Sequence, residues 1–291
     1  MVIAKLAGGL GNQMFQYATA RRLSLTLGSE LKLDLSAFRK DKKREFALGE
    51  FEIFGKSAEA GKTDREESSR ETFLKKWSRL PGGREAKESI STVREKQFRF
   101  DPAILELHDN VCLEGYWQSE KYFMDVRKTI EAEFSWNYPP DQKNLETLRL
   151  IDQSESVSIH VRRGDYADDP DTRKFHGLCS ESYYRTAIAW FRRRTRNPLF
   201  FIFSDDMEWA RGFFHKEPGA RIVHQNGNGR PHEDLRLMSR CAHQIIANSS
   251  FSWWGAWLNT KPGRQVVAPE KWFANPSVDT SDLIPATWVR L

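Results

Sequence analysis

Short apolar runs alternate with amphipathic stretches through the second half of the chain. The apolar runs predict β-strands at residues 157–161, 199–204, 220–225, 243–248 and 264–269. The stretches between them predict helices at residues 180–194, 207–216, 232–241 and 251–259. Because strands that alternate with helices form parallel sheets, this half is expected to have an α/β fold with a doubly wound sheet.

The first half begins with the same alternation. Its predicted elements are a strand at residues 1–6, a tight turn at 8–12, a helix at 13–28 and a strand at 30–35. Residues 111–123 resume a pattern of strand, turn and helix. Between Arg39 and Phe100 the chain is charged and weakly patterned, which indicates helices and loops whose order the pattern does not define.

Residues 137–142 (NYPPDQ) contain two adjacent prolines, which neither continue a helix nor occupy the interior of a sheet. We therefore expect a domain boundary near this point. The prediction is an N-terminal domain over residues 1–150, which carries the glycine loop, and a C-terminal domain over residues 151–291. A chain of 291 residues is long enough to bury a sizeable core in one domain or in two.

Composition and cysteine spacing indicate a soluble protein of a reducing compartment. The chain is 39% hydrophobic and 29% charged. It has no apolar run of the roughly 20 residues that a membrane span needs, and its N-terminus lacks the features of a signal peptide. The three cysteines lie far apart without C-x-x-C spacing, which disfavours a disulfide framework or a structural zinc site. A cytoplasmic protein is the expectation.

The formal net charge of +5 suits an anionic partner. The densest basic runs are Arg39–Glu45 and Arg192–Arg196, which are expected to be solvated faces or a peripheral contact with a membrane surface. The chain has no zinc-finger spacing, no aromatic string of an RNA-recognition type and no helix-turn-helix pattern. We therefore expect no nucleic-acid partner.

Ligands of a parallel sheet bind beyond the carboxyl ends of its strands, so the residues at those positions are candidates. Gly9, Gly11 and Asn12 follow the first strand, where glycines let the backbone approach a ligand and the next helix offers free N–H groups to an anion. The spacing is neither the dinucleotide fingerprint nor a Walker loop, which disfavours a dinucleotide-dependent oxidoreductase. An ordinary turn is the alternative.

Arg162, Arg163 and Asp165 follow the first predicted strand of the second half. Two guanidinium groups offer forked donors that suit a diphosphate, and their charge does not titrate away. An ion pair between Arg163 and Asp165 is the alternative. His160 lies two positions before Arg162 and so points to the same face of the strand. The same arginine, glycine and aspartate spell an adhesion motif, which a cytoplasmic protein would not use.

Two later strand ends carry further polar residues. They are Ser204, Asp205, Asn248, Ser249 and Ser250, followed by Phe251. The acidic group after the strand at 199–204 either caps the next helix or contacts a ligand. The serines begin the last predicted helix and form a second candidate anion site. The tryptophans of that helix, Trp253, Trp254 and Trp257, are expected in the core.

Asp234 opens the predicted helix at 232–241, and Ser250 follows it after one helix and one strand. In a parallel sheet that path returns the chain to the same edge, so both residues are expected to face one ligand. A carboxylate is the natural acceptor for the exocyclic N–H donors of a purine. Helix capping by Asp234 is the alternative.

Several stretches together resemble the bacterial α-1,2-fucosyltransferases of glycosyltransferase family 11. They are GGLGNQMFQYA (8–18), LEGYWQSEKYF (113–123), HVRRGDY (160–166), FSDD (203–206) and NSSFSWWGAWL (248–258). The resemblance implies a GT-B-like α/β fold, in which two Rossmann-like doubly wound domains face each other across a cleft. It also implies the donor GDP-β-L-fucose, an inverting displacement and no required metal or other cofactor.

The resemblance further implies roles for individual residues. The expected catalytic residues are His160, Arg162 and Asp165, and Arg162 would bind the β-phosphate of the donor. The expected donor-binding residues are Gly9, Gly11, Asn12, Arg163, Ser204, Asp205, Asp234, Asn248, Ser249, Ser250 and Phe251. Among these, Asp234 would hold the guanine edge and Ser250 a phosphate. The expected acceptor residues are Glu114, Tyr116 and Trp117. Residues 1–150 would accordingly form the acceptor-side domain, and residues 151–291 the GDP-fucose-binding domain.

The expected activity is transfer of L-fucose to the 2-hydroxyl of a terminal β-galactoside, in the synthesis of a surface polysaccharide such as an O-antigen. The alternative is the same donor with another linkage, such as α-1,6 transfer to N-acetylglucosamine. Asp165, Glu114 and His160 are the candidates by type for the general base. Asp169 and Asp171 have the D-x-D spacing of metal-dependent transferases. Because the arginines can replace a metal ion, we expect a surface turn there.

Overall fold

The computed structural model describes residues 1–39, 41, 44–57, 90–164, 169–227 and 229–291. Asp165 therefore lies outside the described residues. Parts of the basic run Arg39–Glu45 and of the segment from Arg39 to Phe100 lie outside them as well.

The first sheet is built from residues that precede the predicted domain boundary. Its strands are β1 (Val2–Lys5), β2 (Leu31–Asp34), β3 (Lys56–Ser57), β4 (Ser91–Arg94) and β5 (Val111–Glu114). They lie in the order β3-β2-β1-β5-β4, and all neighbouring strands are parallel. Successive strands are added on one side of β1 up to β3 and on its other side from β4 onward, so the switch point of this sheet lies between β1 and β5.

Helices connect and cover these strands. In the described chain up to residue 155 they are α1 (Leu10–Leu27), α2 (Arg127–Glu133) and α3 (Gln142–Asp152), with 3-10 turns at Ser36–Arg39, Leu48–Glu50, Pro102–Glu106, Glu120–Tyr122 and Met124–Val126. Helix α1 begins at Leu10, inside the predicted turn. The glycine run therefore belongs partly to the first turn of a helix, which brings its backbone N–H groups to the sheet edge.

The second sheet is built from residues after position 155. Its strands are β6 (Ser156–Val161), β7 (Leu199–Ser204), β8 (Ala220–Ile222), β9 (His243–Ile245), β10 (Val266–Ala268) and β11 (Val289–Arg290). They lie in the order β11-β10-β9-β6-β7-β8, again with parallel neighbours. This is the strand order of a dinucleotide-binding Rossmann sheet, with its switch point between β6 and β9.

The helices around this sheet are α4 (Pro170–His176), α5 (Glu181–Arg192), α6 (Met207–Phe214), α7 (Pro231–Arg240) and α8 (Ser250–Trp257). Ser180 caps α5, since its side chain accepts a hydrogen bond from the N–H of Tyr183. Because α7 precedes β9 and α8 follows it, both helices begin at the carboxyl edge of the sheet.

The tryptophans of α8 join the cores of the two halves. Trp253, Trp254 and Trp257 are each at most 1% exposed, which confirms that they are core residues. The ring of Phe15 in α1 lies 4.4 Å from that of Trp253 and 5.0 Å from that of Trp254, centroid to centroid. One cluster of buried apolar residues therefore extends from the first sheet into the second half of the chain.

The predicted α/β fold with parallel sheets is confirmed. The prediction of helices and loops between Arg39 and Phe100 was wrong at β3 and β4, whose residues are mostly polar and carry no apolar alternation. The predicted surface position of Asp169 and Asp171 is confirmed, because both are exposed, but the predicted turn was wrong. Asp169 instead caps α4 by accepting from the N–H of Asp171 at 3.2 Å.

The division into domains at residue 150 stays a prediction. The two sheets lie on either side of the proline pair, but α3, which the prediction gives to the first domain, packs in the second half of the molecule. Its Asn144 pairs with Asn226 across a distance of 2.8 Å. No helix in the described part of the chain is long and apolar enough to span a membrane.

Candidate active site

Most of the candidate residues lie at the switch points of the two sheets. At the second sheet, Arg162 and Arg163 follow β6, and the segment 248–250 follows β9. At the first sheet, the glycine loop follows β1, and the segment 115–118 follows β5. A switch point opens a crevice between diverging connections, and ligands of such sheets bind there.

The two switch points meet at the side chain of Asn12. Its Oδ1 atom accepts hydrogen bonds from Ser250 Oγ at 2.7 Å and from Gln118 Nε2 at 2.9 Å. Nearby, the indole Nε1 of Trp254 donates to the carbonyl of Gly11 at 3.0 Å. The first turn of α1 and the first turn of α8 are thus held against each other, so the positive ends of two helix dipoles share one region.

Gly11 has no room for a side chain at this contact. A Cβ atom added there would lie 2.4 Å from the carbonyl carbon of Ser250 and 2.5 Å from the backbone nitrogen of Phe251. Both neighbours are backbone, which cannot rotate away. The glycine is therefore required by the close approach of the two helices.

The arginines after β6 are paired with the carboxylates after β7. Arg162 Nη1 lies 2.9 Å from Asp205 Oδ2, and the backbone N–H of Arg163 donates to Asp205 Oδ1 at 2.8 Å. Arg163 Nε donates to Asp206 Oδ2 at 3.1 Å, and its guanidinium lies 4.6 Å from the centre of the Trp209 ring. Each arginine is oriented by a carboxylate and keeps about a fifth of its side chain exposed.

Asp206 and Ser204 have local structural roles. Asp206 caps α6 by accepting from the N–H of Trp209 at 3.0 Å. Helix capping was one of the two roles predicted for the acidic residues after β7. The hydroxyl of Ser204 both donates to the carbonyl of Asp206 and accepts from its N–H, each at 3.0 Å. The predicted alternative of an ion pair between Arg163 and Asp165 lies outside the described residues.

His160 is buried at the end of β6, with 5% of its surface exposed. Its ring lies 5.4 Å from that of Phe251, and its Nδ1 atom has no hydrogen-bond partner among the described residues. Burial, with a smaller contribution from Arg162, lowers the pKa of His160 to about 3. The imidazole is therefore neutral at physiological pH.

Asp234 is part of a polar network at the start of α7. Its Oδ1 accepts from Asn226 Nδ2 at 2.8 Å, and Asn226 forms a reciprocal amide pair with Asn144. Burial raises the pKa of Asp234 to about 6, and the hydrogen bond from Asn226 opposes that rise. Helices α7 and α8 pack closely at Gly255, where a Cβ would lie 3.1 Å from that of Met238. Asp234 and Ser250 thus begin neighbouring helices at one edge of the sheet.

Asn248 and Ser249 are nearly buried, with 3% and 8% exposure. The Asn248 amide donates to the carbonyls of His176 and Trp272, at 2.9 Å and 3.1 Å. Its side chain therefore connects the end of α4 with the segment around Trp272. Ser249 precedes α8 without a side-chain cap.

The three predicted acceptor residues have different environments. Glu114 pairs with Lys5 at 2.6 Å and with Arg94 at 2.9 Å, and these hydrogen bonds lower its pKa. Tyr116 is 39% exposed, whereas Trp117 is 1% exposed and has the left-handed backbone angle φ = 57°. Only Tyr116 of the three presents an aromatic surface to solvent.

The sequence is matched over residues 1–291 by the family model described as glycosyl transferase family 11. The chain belongs to this family. Family membership agrees with the expected resemblance and makes the protein a glycosyltransferase.

Two curated relatives from Escherichia coli match this family 11 chain over nearly its full length. An α-1,2-colitosyltransferase is 34% identical and covers 100% of this chain and 99% of its own. The O-antigen biosynthesis glycosyltransferase WbnK is 33% identical and covers 98% and 99%. The galactoside 2-α-L-fucosyltransferase SEC1 of Bos taurus is also 33% identical, over 56% of this chain and 45% of its own.

The structure is also similar to that of NodZ from Bradyrhizobium, an α-1,6-fucosyltransferase soaked with GDP-fucose. The identity is 12% and the TM-score 0.46, over 88% of this chain and 91% of NodZ. A likeness of this size does not bear on the activity of the family 11 chain.

Two residues near the contact between the two switch points were missed by sequence reasoning. Gln118 lies inside the stretch that resembles the family, but nothing in the pattern distinguishes it from its neighbours. Glu95 follows β4 in the weakly patterned segment, and its carboxylate accepts from the N–H groups of Tyr116 and Trp117. Burial raises the pKa of Glu95, and the two backbone donors oppose that rise. Its role depends on the pairing of β4 with β5, which the sequence pattern did not predict.

Metal-ligating side chains do not gather in the described parts of this family 11 chain. No group of three or more His, Cys, Asp or Glu residues lies together there in a way that could hold a metal ion.

Proposed function

We propose that this family 11 glycosyltransferase moves L-fucose from GDP-β-L-fucose to the 2-hydroxyl of a terminal β-galactoside, with inversion and without a metal ion. The observation that carries the proposal is the position of Arg162. It lies at the switch point of the second sheet, oriented by Asp205, in the same region as the first turn of α8. Fixed positive charge at that place suits the diphosphate of a nucleotide sugar.

Arg162 is suited to the departing diphosphate. As the bond between fucose and the β-phosphate breaks, negative charge builds on the phosphate, and a fixed guanidinium lowers the barrier by stabilising it. The Nη1 atom of Arg162 pairs with Asp205 Oδ2 at 2.9 Å. This pairing orients the guanidinium group at the switch point.

Ser250 binds a phosphate in this proposal only after a change of partner. A hydroxyl has one proton to donate, and that proton now goes to Asn12 Oδ1. Donor binding would move it to a phosphate oxygen and release Asn12. Because Asn12 belongs to the first half of the chain, filling the phosphate site would alter the contact between the halves.

Asp234 is the proposed acceptor for the guanine edge. Among the described residues, Asn226 engages one oxygen of the Asp234 carboxylate, and the other oxygen has no hydrogen-bond partner. An ionised carboxylate can accept from two adjacent N–H groups, which a guanine presents on one edge. Adenine has no such pair of donors on that edge, so the carboxylate would favour a guanosine donor.

The reaction would proceed by attack of the acceptor hydroxyl on the anomeric carbon, with GDP as the leaving group. The acceptor proton needs a base, and two of the three candidates are disfavoured. The pKa of Glu114 is lowered by its ion pairs, and that of His160 is lowered by burial. Neither group takes up a proton readily at neutral pH.

A second donor is favoured by one relative. The α-1,2-colitosyltransferase matches this chain from end to end, whereas the fucosyltransferase SEC1 matches about half of it. Colitose is L-fucose without its 3-hydroxyl, so both donors would carry the same diphosphate and nucleotide. The alternative function is α-1,2 transfer of colitose from its GDP derivative.

The proposal is tested by incubating the protein with GDP-fucose or GDP-colitose and with lactose, N-acetyllactosamine or lacto-N-biose. The linkage of each product is then assigned by NMR. A 2-O-fucosyl galactoside is the expected product. Transfer of colitose alone would favour the second donor, and an α-1,6 product would contradict the proposed linkage.

We further propose that the protein acts in the cytoplasm and that its product serves surface-polysaccharide synthesis. The second part is supported by the similarity to WbnK, a glycosyltransferase of O-antigen biosynthesis. A peripheral membrane contact through Arg192–Arg196 has less support. Arg192 is paired with Glu217, and Arg194 lies 4.0 Å from the centre of the Trp190 ring, so part of this charge has partners on its own surface.

A further inference from the structure

Gln118 carries a buried polar atom that the described chain leaves unpaired. The residue is 7% exposed, and its Nε2 donates to Asn12 Oδ1 at 2.9 Å. The other end of the same amide, Oε1, is buried and has no hydrogen-bond partner within the described residues. A buried amide that is only half paired is unfavourable, so where it adjoins a candidate ligand site a ligand group can complete its hydrogen bonds.

The loop that carries Gln118 is held rigidly. The two carboxylate oxygens of Glu95 accept from the N–H of Tyr116 at 2.6 Å and from that of Trp117 at 3.0 Å. Trp117 has a backbone angle that side-chain-bearing residues rarely adopt. A Cβ at Gly115 would lie 2.4 Å from Glu95 Cβ, so only glycine fits there. The hydrogen bonds to Glu95 therefore fix the position of the Gln118 side chain, including its unpaired oxygen.

Gln118 lies close to the proposed phosphate site. Asn12 Oδ1 accepts from both Gln118 Nε2 and Ser250 Oγ, so only this oxygen atom lies between Gln118 and Ser250, the residue proposed to bind a phosphate. In a nucleotide sugar the pyranose ring is bonded to the outer phosphate. Its hydroxyls lie within a few ångströms of that phosphate, and Gln118 approaches the site from the opposite sheet.

We infer that Gln118 binds one hydroxyl of the donor's pyranose ring and so selects the donor sugar; this inference rests on the proposed function. A sugar hydroxyl both donates and accepts, so it pairs with the free end of the amide whichever way round the amide is turned. A neutral amide also suits a neutral sugar, whereas the charged groups of the second sheet suit the phosphates.

The test pairs enzyme variants with altered donors. The donors are GDP-fucose and its 2-, 3- and 4-deoxy analogues, and the enzymes are the wild type, Gln118→Met and Gln244→Met. Gln244 is a matched control, since it is 1% exposed and also has a buried Oε1 without a partner in the described chain, but lies in β9. For each enzyme, kcat/KM is measured with every donor. The ratio between two donors does not depend on the fraction of enzyme that is folded.

With wild type, we expect one deoxy donor to lose roughly 10- to 100-fold in kcat/KM relative to GDP-fucose, because the buried amide is then left unpaired. In Gln118→Met that penalty disappears for the same donor, since the amide is gone. Gln244→Met keeps the wild-type discrimination. The 3-deoxy donor is GDP-colitose, so the series also measures preference between the two proposed donors.

Equal discrimination in wild type and Gln118→Met overturns the inference and leaves the proposed function intact. An effect of Gln118→Met on the KM of the galactoside alone also overturns it, because the amide would then contact the acceptor. If wild type transfers no sugar from any of these donors, the proposed function fails, and the inference fails with it.

Discussion

The two switch points of the molecule differ in the polar groups that they bring to the proposed donor site. The second sheet ends in charged residues that form ion pairs, Arg162 with Asp205 and Arg163 with Asp206. The first sheet contributes the amides of Asn12 and Gln118, which form neutral hydrogen bonds. Charged groups suit a diphosphate, and neutral amides suit sugar hydroxyls, so each half matches one part of a nucleotide sugar.

The difference also separates two tasks. Charge that meets the leaving group acts on the transition state and so on kcat. Amides and glycines that set the distance between the halves act on geometry and on selection of the sugar. Substitutions in the second half should therefore slow the chemical step, and substitutions in the first half should alter stability or discrimination.

The largest effect is expected for Arg162→Ala. Loss of the fixed charge at the leaving phosphate should lower kcat by roughly 100- to 1000-fold, as for other donors that stabilise developing charge. Arg185→Ala is the control, since Arg185 is exposed and, within the described part of the chain, forms an ion pair only with Glu181 of its own helix. Steady-state kinetics with saturating GDP-fucose measure both. A kcat within a few-fold of wild type for Arg162→Ala would contradict the claim that charged groups of the second half act on the chemical step.

A large effect on stability is expected for Gly11→Ala. The added methyl group would push α1 away from α8, at a cost of about 1–3 kcal/mol in the free energy of unfolding. Gly212→Ala is the matched control, because nothing lies within 4 Å of a Cβ at that helical position. It should stabilise the protein by about 0.5–1 kcal/mol. Urea unfolding measures both, and equal effects would show that the contact between the halves is not tight.

A moderate effect of pH is expected through Asp234, whose pKa burial raises to about 6. The ionised carboxylate, which accepts from guanine, is present above this value and is lost as the pH falls through it. The KM for the donor should therefore rise by up to about 10-fold for each pH unit below the pKa. Donor titrations across this range measure the change.

Asp234→Asn provides the control for that titration. The amide does not titrate, so the variant should bind the donor more weakly at neutral pH and lose the acid dependence. Retention of the same acid limb in Asp234→Asn would assign it to another group.

The smallest effect is expected for metal removal. Since Arg162 is proposed to take the task of a metal ion, activity after treatment with EDTA should equal that of the untreated enzyme. Activity that is lost with EDTA and restored by Mg²⁺ or Mn²⁺ would refute the metal-free mechanism.

The sequence predicted the elements that bury an apolar face. The run at 199–204 matches β7 in both ends, because its phenylalanines and isoleucine are buried in the sheet. By contrast, β4 is an edge strand in which Ser91, Thr92 and Arg94 are exposed, so its composition carries no strand pattern. Strands of two residues, such as β11, are too short to produce a period.

The sequence predicted the site only in part, because a local pattern does not specify which strands are neighbours in the sheet. That Arg162 and Arg163 stand at a strand end followed from the local pattern. Their pairing with Asp205 and Asp206 depends on β6 lying beside β7, which a local pattern does not specify. The junction of Asn12, Gln118 and Ser250 requires both sheets to be in place, and neither amide carries a recognisable signature. Partners that are far apart in the chain therefore remained undetected.

The tryptophan-rich helix α8 has a consequence for protein engineering. It belongs to the second half by sequence, yet its buried side chains pack on Phe15 and Phe123 of the first half. A chimera that exchanges halves between relatives at the proline pair would pack the tryptophans of α8 against a first half from another protein. Acceptor specificity should be transplanted more successfully when α8 travels together with the first half.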